Sequence, residues 1–504
     1  MKRTIAAIVL AISCLIGAVL IVPAFIDLGM FKSTYLPLIE DALHRKVDVQ
    51  EVRLSLIPVP SIRLSQLKVS DSPAFPDNTF FAARQLQLRL KVWPLIRGRF
   101  EVREFVLDKP VINLLKKPDG SFNYADLADK KLPLAPTATK KSKGLAKPQQ
   151  IPVLPFVLPG RMRIKNGQLN IQTRGRAPLT IDDIELSLAE LTSDRPFPYR
   201  LAFKYPGLNN IKLEGRLTYQ ENDSTLTLDG SQLDIDDLSL PLDGNINRLM
   251  TAPSFNLRAS TDKLDSRKFF KVLSGLGFAL RDTNVSGPMK VELSITGPSQ
   301  SLVTQLRSRF DGVEVERKKA VRGTVNGELS MRLPSGTGPL SRRLQGDGKL
   351  IARDGELTNM NLVKKVQSVT GFIGLSKEQG KEVTTFKTLE TDFVVDQGVA
   401  DFKRIHIVNP QIEANGLGTM TLDQPKFDVA METALSARSI SRSLTGKAVG
   451  FFKDGQGRIV VPLKITGPVE NPAVNLDAEK LIARGMPVSK EKTFGSFFKQ
   501  LFRR

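Results

Sequence analysis

Catalysis needs groups that can converge, and this 504-residue sequence offers few. Its two histidines, His44 and His406, stand far apart, without the short spacing that sets two imidazoles on one metal. Ser65-Gln-Leu-Lys68 has the serine-lysine spacing of some acyl enzymes, but that pair works from a helix, and here apolar and polar residues alternate as in a strand. Asp234-Ile-Asp236-Asp237 lacks the glycine and the closing glutamate of a calcium loop. Gly346-Asp-Gly348, Gly416-Leu-Gly418 and Gly455-Gln-Gly457 lack the rest of a dinucleotide fingerprint and read as turn glycines. Cys14 is the only cysteine, so an intrachain disulfide and a thiolate zinc site are both excluded. The expectation is a protein without catalytic residues, metal or cofactor.

The elements that carry these residues are mostly strands. From Val47 onward the apolar period is two: Ile62 and Leu64, then Leu86, Leu88 and Leu90, alternate with Ser, Arg, Gln and Lys. The alternation resumes at Met162 and runs through Leu186 and Leu188, Ile211 and Leu213, Val291 and Leu293, and on to Leu463. Asp229-Gly230, Asp243-Gly244 and Asp311-Gly312 mark turns between strands. No βαβ rhythm appears, which predicts an antiparallel sheet. Helical spacing appears over 28–44, Ser266 to Leu276 and Leu362 to Gly371.

Thr4 to Ile26 carries no charge and would reach about 35 Å as a helix, enough for a hydrocarbon core of about 30 Å. Pro23-Ala24-Phe25 is a poor cleavage site, so the segment reads as a retained anchor. Lys2 and Arg3 precede it, which predicts a cytoplasmic N-terminus with the bulk of the chain across the membrane. Lysine and arginine outnumber aspartate and glutamate by 73 to 52, a net charge of +21 that invites an anionic partner. With an anchor in place, that partner is a membrane surface and not nucleic acid. Residues 130–160 are rich in Lys and Pro with little to bury, and read as a linker. In the tail, Phe494, Phe497, Phe498, Leu501 and Phe502 share one helical face among Lys and Arg. Such a face suits the membrane interface, and equally the cover of a last open strand.

Several motifs together resemble the AsmA family. They are Val69-Ser-Asp-Ser-Pro-Ala-Phe75, Trp93-Pro-Leu-Ile-Arg-Gly98, Leu107-Asp-Lys-Pro-Val-Ile112 and Asp119-Gly-Ser-Phe-Asn123 near the start. Phe393-Val-Val-Asp-Gln-Gly398, Ala414-Asn-Gly-Leu-Gly418 and Val461-Pro-Leu-Lys-Ile-Thr-Gly-Pro468 follow near the end. Phe122 and His44-Arg45 depart from the family pattern, where tryptophan and a Gly-Arg pair are usual. The resemblance implies a bacterial inner-membrane protein crossing once, with a periplasmic body. It also implies kinship with bridge-like lipid transfer proteins, whose repeated β units form a hydrophobic groove.

The expected fold is therefore mainly β: a transmembrane helix, then an elongated, curved antiparallel sheet forming a groove, with a few short helices. The expected regions are an anchor (1–27), an amino-terminal helix and β region (28–129), a linker (130–160), a middle β region (161–345), a carboxy-terminal β region (346–477) and a basic tail (478–504). Leu86, Leu88, Leu90, Leu186, Leu188, Leu213, Leu293 and Leu463 are the candidates to line the groove against phospholipid acyl chains. Two functions stay open from sequence: phospholipid handling toward the outer membrane in envelope biogenesis, or a sealed periplasmic scaffold for assembly of outer-membrane proteins. An open apolar face separates the first from the second.

Overall fold

A computed structural model of the chain describes residues 45–484, with Leu36 and Glu40, except 56–58, 72–77, 98–100, 117–121, 125–159, 174–176, 193, 250–251, 279–281, 319, 337, 359, 364, 367–382 and 437–451. The protein is mainly β, with few helices. Among the described residues no helix is long and apolar enough to cross a membrane. Thr4 to Ile26, His44, the linker up to residue 159 and the aromatic tail all lie outside them. Two compact units divide the chain, Met1–Phe255 and Asn256–Arg504, so the division falls inside the middle region marked out by sequence.

The first unit is a meander. It runs β1 (Val47–Asp48), β2 (Glu51–Ser55), β3 (Ser61–Ser70), β4 (Thr79–Leu90), a short helix α1 (Val92–Ile96), β5 (Val102–Lys116), β6 (Arg161–Thr173), β7 (Leu179–Ala189), β8 (Phe197–Tyr205), β9 (Leu208–Gln220), β10 (Thr225–Ile235) and β11 (Leu238–Asn247). Both β1 and β2 pair with β3, and from β3 onward each strand pairs with the next. The pairing is antiparallel, as the alternation without a βαβ rhythm implies, with one exception: β5 and β6 run parallel, from Glu104 opposite Arg161 to Lys116 opposite Thr173. Parallel neighbours require a long crossover. The chain between Lys116 and Arg161, which includes the Lys- and Pro-rich stretch 130–160, supplies it: Arg161 starts opposite Glu104, 12 residues back along β5, or about 40 Å at ~3.3 Å per residue.

This parallel seam is pinned by one carboxylate. Glu104 on β5 accepts from Arg89 Nη1 on β4 at 2.8 Å and from Arg163 on β6. Its side chain is only 6% exposed. Burial alone would push its carboxyl up, but the guanidiniums of Arg163 and Arg89 together outweigh that and hold it below the ordinary 4.5.

The sheet also bends. Gln66, Lys109, Asn166 and Asp183, all polar and exposed, have left-handed φ between 50° and 52°. The register sets them at one level across β3, β5, β6 and β7. A left-handed residue breaks the pleat, and register shifts beside Asn166 and Asp183 mark true bulges, so the strands kink along a common line.

The second unit continues with β12 (Ser254–Asp265), helix α2 (Ser266–Gly275), β13 (Thr283–Ser286), β14 (Pro288–Pro298), β15 (Val303–Arg317), β16 (Val321–Pro334), α3 (Leu340–Arg343), β17 (Gln345–Thr358), β18 (Val383–Asp396), β19 (Val399–Val408), β20 (Ile412–Thr421), β21 (Lys426–Leu435), β22 (Val460–Pro468), β23 (Ala473–Leu476) and α4 (Ala478–Ala483). From β14 to β23 each strand pairs antiparallel with the next. Helix α2 starts where Asp265 accepts from the Arg267 backbone N–H at 3.0 Å, the ordinary N-cap device. Glycines here make room for cross-strand rings: Gly348 lies opposite Phe393, and a Cβ at Gly348 would sit 2.5 Å from the Phe393 ring.

Candidate functional site

Directly opposed residues on paired strands share a face, so the register decides which alternating leucines belong together. In the first unit it yields one lateral row with an apolar residue from every strand between β3 and β11: Leu64, Leu86, Leu107, Ile164, Leu186, Leu201, Leu213, Leu233 and Leu240. At ~4.8 Å per strand, its eight steps cover about 38 Å. A second row runs beside it through Ile62, Leu88, Phe105, Met162, Leu188 and Tyr199. Leu90 continues the face at the end of β4.

Of the eight leucines marked from sequence, the structure brings Leu86, Leu186 and Leu213 into the first row and Leu88 and Leu188 into the second. Leu107 and Leu240 in the first row are buried, whereas Leu64, Leu86, Ile164, Leu186, Leu201, Leu213 and Leu233 keep part of their surface open. Leu90 is 2% exposed. One residue along, the side chains change character: Arg63, Gln87, Arg163, Ser187, Arg200, Glu214 and Gln232 form the matching row on the opposite face, interrupted by Val106. Arg200 pairs with Glu214 there at 3.1 Å. The apolar row thus crosses nine strands, while the opposite face is polar from β3 to β10 except at Val106 and ends at Pro241 on β11.

The β3 end of the apolar face is covered. Val47, Val49, Val52 and Val69 form a buried cluster, on which Leu36, Ile62, Leu64, Leu67 and Phe81 pack. Next to it lies a buried polar knot. Arg45 Nη1 donates to Asp71 Oδ1 at 3.1 Å, Arg45 Nη2 to the Asn123 carbonyl at 2.7 Å, and Asn123 Nδ2 to Asp71 Oδ2 at 2.7 Å. These residues belong to three of the sequence motifs, His44-Arg45, Val69 to Phe75 and Asp119 to Asn123, which the fold brings to one place. Their mutual contact was not legible from the motifs taken singly.

In the second unit Leu293 and Leu463 also fall on one face by register, but in different settings. Leu293, opposite Leu306, is half-buried. Leu463 is 0% exposed, inside a cluster with Met431, Ile412, Val461 and Ile465 that Leu362, Val363, Val366, Phe452 and Leu481 close over. The cover is held down by Thr384, whose hydroxyl accepts from the Leu362 N–H at 2.8 Å and donates to the Met360 carbonyl at 2.6 Å.

The polar candidates do other work. His406 Nδ1 lies 2.7 Å from Asn415 Oδ1 on the neighbouring strand. Asp236 Oδ1 accepts from the backbone N–H groups of Asn209 and Asn210 at 3.1 and 3.0 Å, which fastens adjacent turns. Among the described residues no group of three or more His, Cys, Asp or Glu could hold a metal ion. The tail residues Phe494, Phe497, Phe498, Leu501 and Phe502 lie outside the described residues.

The chain matches the family model described as the AsmA family over residues 1–266. No curated protein and no solved structure matches it.

Proposed function

The chain belongs to the AsmA family, and from that premise we propose that it handles phospholipid in cell-envelope biogenesis, from an anchor in the bacterial inner membrane and with its β units in the periplasm. The acyl chains lie along the apolar face of the first unit and move toward the outer membrane; no catalytic step is involved. One observation carries the reading: the row from Leu64 to Leu240 crosses nine strands without a polar residue and is left partly open. Its length of about 38 Å exceeds the ~15 Å that the chains of one leaflet occupy in a ~30 Å core.

The energetics favour such a surface. A sixteen-carbon chain forced through water loses about 13 kcal/mol at ~0.8 kcal/mol per CH₂. A continuous apolar lining offsets most of this, and without a strong polar clamp it lets the lipid move on. The sealed cluster around Leu463 supports the second reading, a scaffold for outer-membrane proteins, for the carboxy-terminal strands only.

The test is native mass spectrometry of the full chain purified in mild detergent. Phospholipid retained by the unaltered chain and by Ser187→Arg, and lost by Leu186→Arg, is the expected result. Equal retention by both variants would contradict it.

A further inference from the structure

The loop between β4 and β5 leaves in water what most proteins cover. Trp93, the only tryptophan of the chain, is 73% exposed on α1, and its neighbour Val92 is 50% exposed. They stand at the strand ends where β4 finishes and β5 and β6 begin. The same place is strongly basic. Lys91, Arg97, Arg103 and Arg161 are all exposed around it. The nearby carboxylates are engaged: Glu101 with Lys91 at 3.1 Å, and Glu104 with Arg89 and Arg163. Among the described residues, no carboxylate pairs with Arg97, Arg103 or Arg161.

An exposed indole beside an aliphatic residue, ringed by unneutralised guanidiniums, has the chemistry of a membrane interface. The indole body is apolar and its N–H is polar, so it settles at headgroup depth, while the cations meet phosphate. The place of α1 is set by the register. Leu90, just before α1, donates its N–H to the Pro60 carbonyl at the Ser61 end of β3, whereas the chain enters β1 at the other end, where Ser70 donates to the Lys46 carbonyl. Nine residues of β3, about 30 Å at ~3.3 Å per residue, separate the two, so α1 is a contact distinct from the point of entry.

We infer that the Val92 to Arg97 segment is a second membrane contact of the first unit, with Trp93 seated at the headgroup level of an anionic phospholipid bilayer and Arg97, Arg103 and Arg161 against its phosphates. This rests on the reading of Thr4 to Ile26 as the anchor. It holds the strand ends where β4 finishes and β5 and β6 begin against the phospholipid surface.

Because Trp93 is the only tryptophan, emission excited at the red edge, where tyrosine does not absorb, reports this position alone in the unaltered full chain. The chain is reconstituted into vesicles of phosphatidylglycerol and phosphatidylcholine, with and without bromines on the upper acyl carbons, and flotation is measured on the same sample. The expected result is a blue-shifted emission, quenched in proportion to the brominated fraction and protected from iodide. Arg97→Glu with Arg103→Glu should restore iodide access while flotation is unchanged. A chain that floats with Trp93 fully open to iodide overturns the inference and leaves the anchor standing. Shielding that rises with protein density and ignores the bromines also overturns it, in favour of contact with a second copy. A chain that does not float overturns the anchor and this inference with it.

Discussion

Arg45 and Asp71 form an ion pair at 3.1 Å with neither side chain reaching solvent. Asn123 bonds to both, and the Phe80 ring lies 4.4 Å from the Arg45 guanidinium carbon. Asn123 also fastens β5, accepting from the Leu115 N–H at 3.0 Å and donating to the Asn113 carbonyl at 3.0 Å. Three stretches of chain are thereby tied together: the lead-in to β1, the exit of β3 and the segment after β5. The knot fixes the covered end of the apolar face.

Breaking this pair should be costly. Asp71→Ala leaves a buried guanidinium without its carboxylate, a loss of about 3–5 kcal/mol for pairs of this kind. Replacing both partners, Arg45→Met with Asp71→Leu, should lose less than Asp71→Ala alone, because no buried charge remains. Urea unfolding followed by circular dichroism checks the order; a double variant weaker than the single would contradict it.

The parallel seam should be acid-sensitive. Glu104 is held below its ordinary 4.5 in the folded chain, so the unfolded chain takes up its proton first as pH falls. The stabilisation is complete above pH 4.5 and is lost as pH drops through the lower folded value. Glu104→Gln, which gives up hydrogen bonds to two charged donors, should cost about 2 kcal/mol at neutral pH and flatten the acid limb of a melting-temperature profile. An unchanged acid limb would show that the seam does not depend on this carboxylate.

Gly348 has a steric reason to be glycine. A Cβ there meets the Phe393 ring at 2.5 Å and Leu329 Cδ1 at 3.1 Å, closer than packed atoms stand. Gly348→Ala should destabilise the second unit by about 1–3 kcal/mol. Adding Phe393→Leu should recover part of that loss in thermal unfolding, and no recovery would mean that the strain lies in the backbone.

Much of the face was legible in the sequence because strand alternation is local. Leu86, Leu88, Leu186, Leu188 and Leu213 could be assigned to an apolar side from their own neighbours alone. Strand direction was not legible, since alternation fixes a face and says nothing of polarity, and the expectation of an antiparallel sheet missed the parallel pair of β5 and β6. Depth was not legible either. Leu463 looks like Leu186 in sequence, yet Phe452 and Leu481 from the adjoining segments, and Leu362 and Val366 from a segment remote along the chain, cover it. The Arg45, Asp71 and Asn123 knot joins positions 26, 52 and 78 residues apart, beyond any local spacing rule.

The most direct test of the account is a period-two photocrosslinking scan in cells. A photoreactive residue is placed in turn at Leu86, Leu186 and Leu213 on the apolar row, and at Gln87, Ser187 and Glu214 on the opposite face. Phospholipid adducts at the three leucine positions and none at their polar neighbours is the result the account predicts. Adducts at neither set, in a chain shown to be folded, would contradict an acyl-bearing face and leave a closed scaffold in its place.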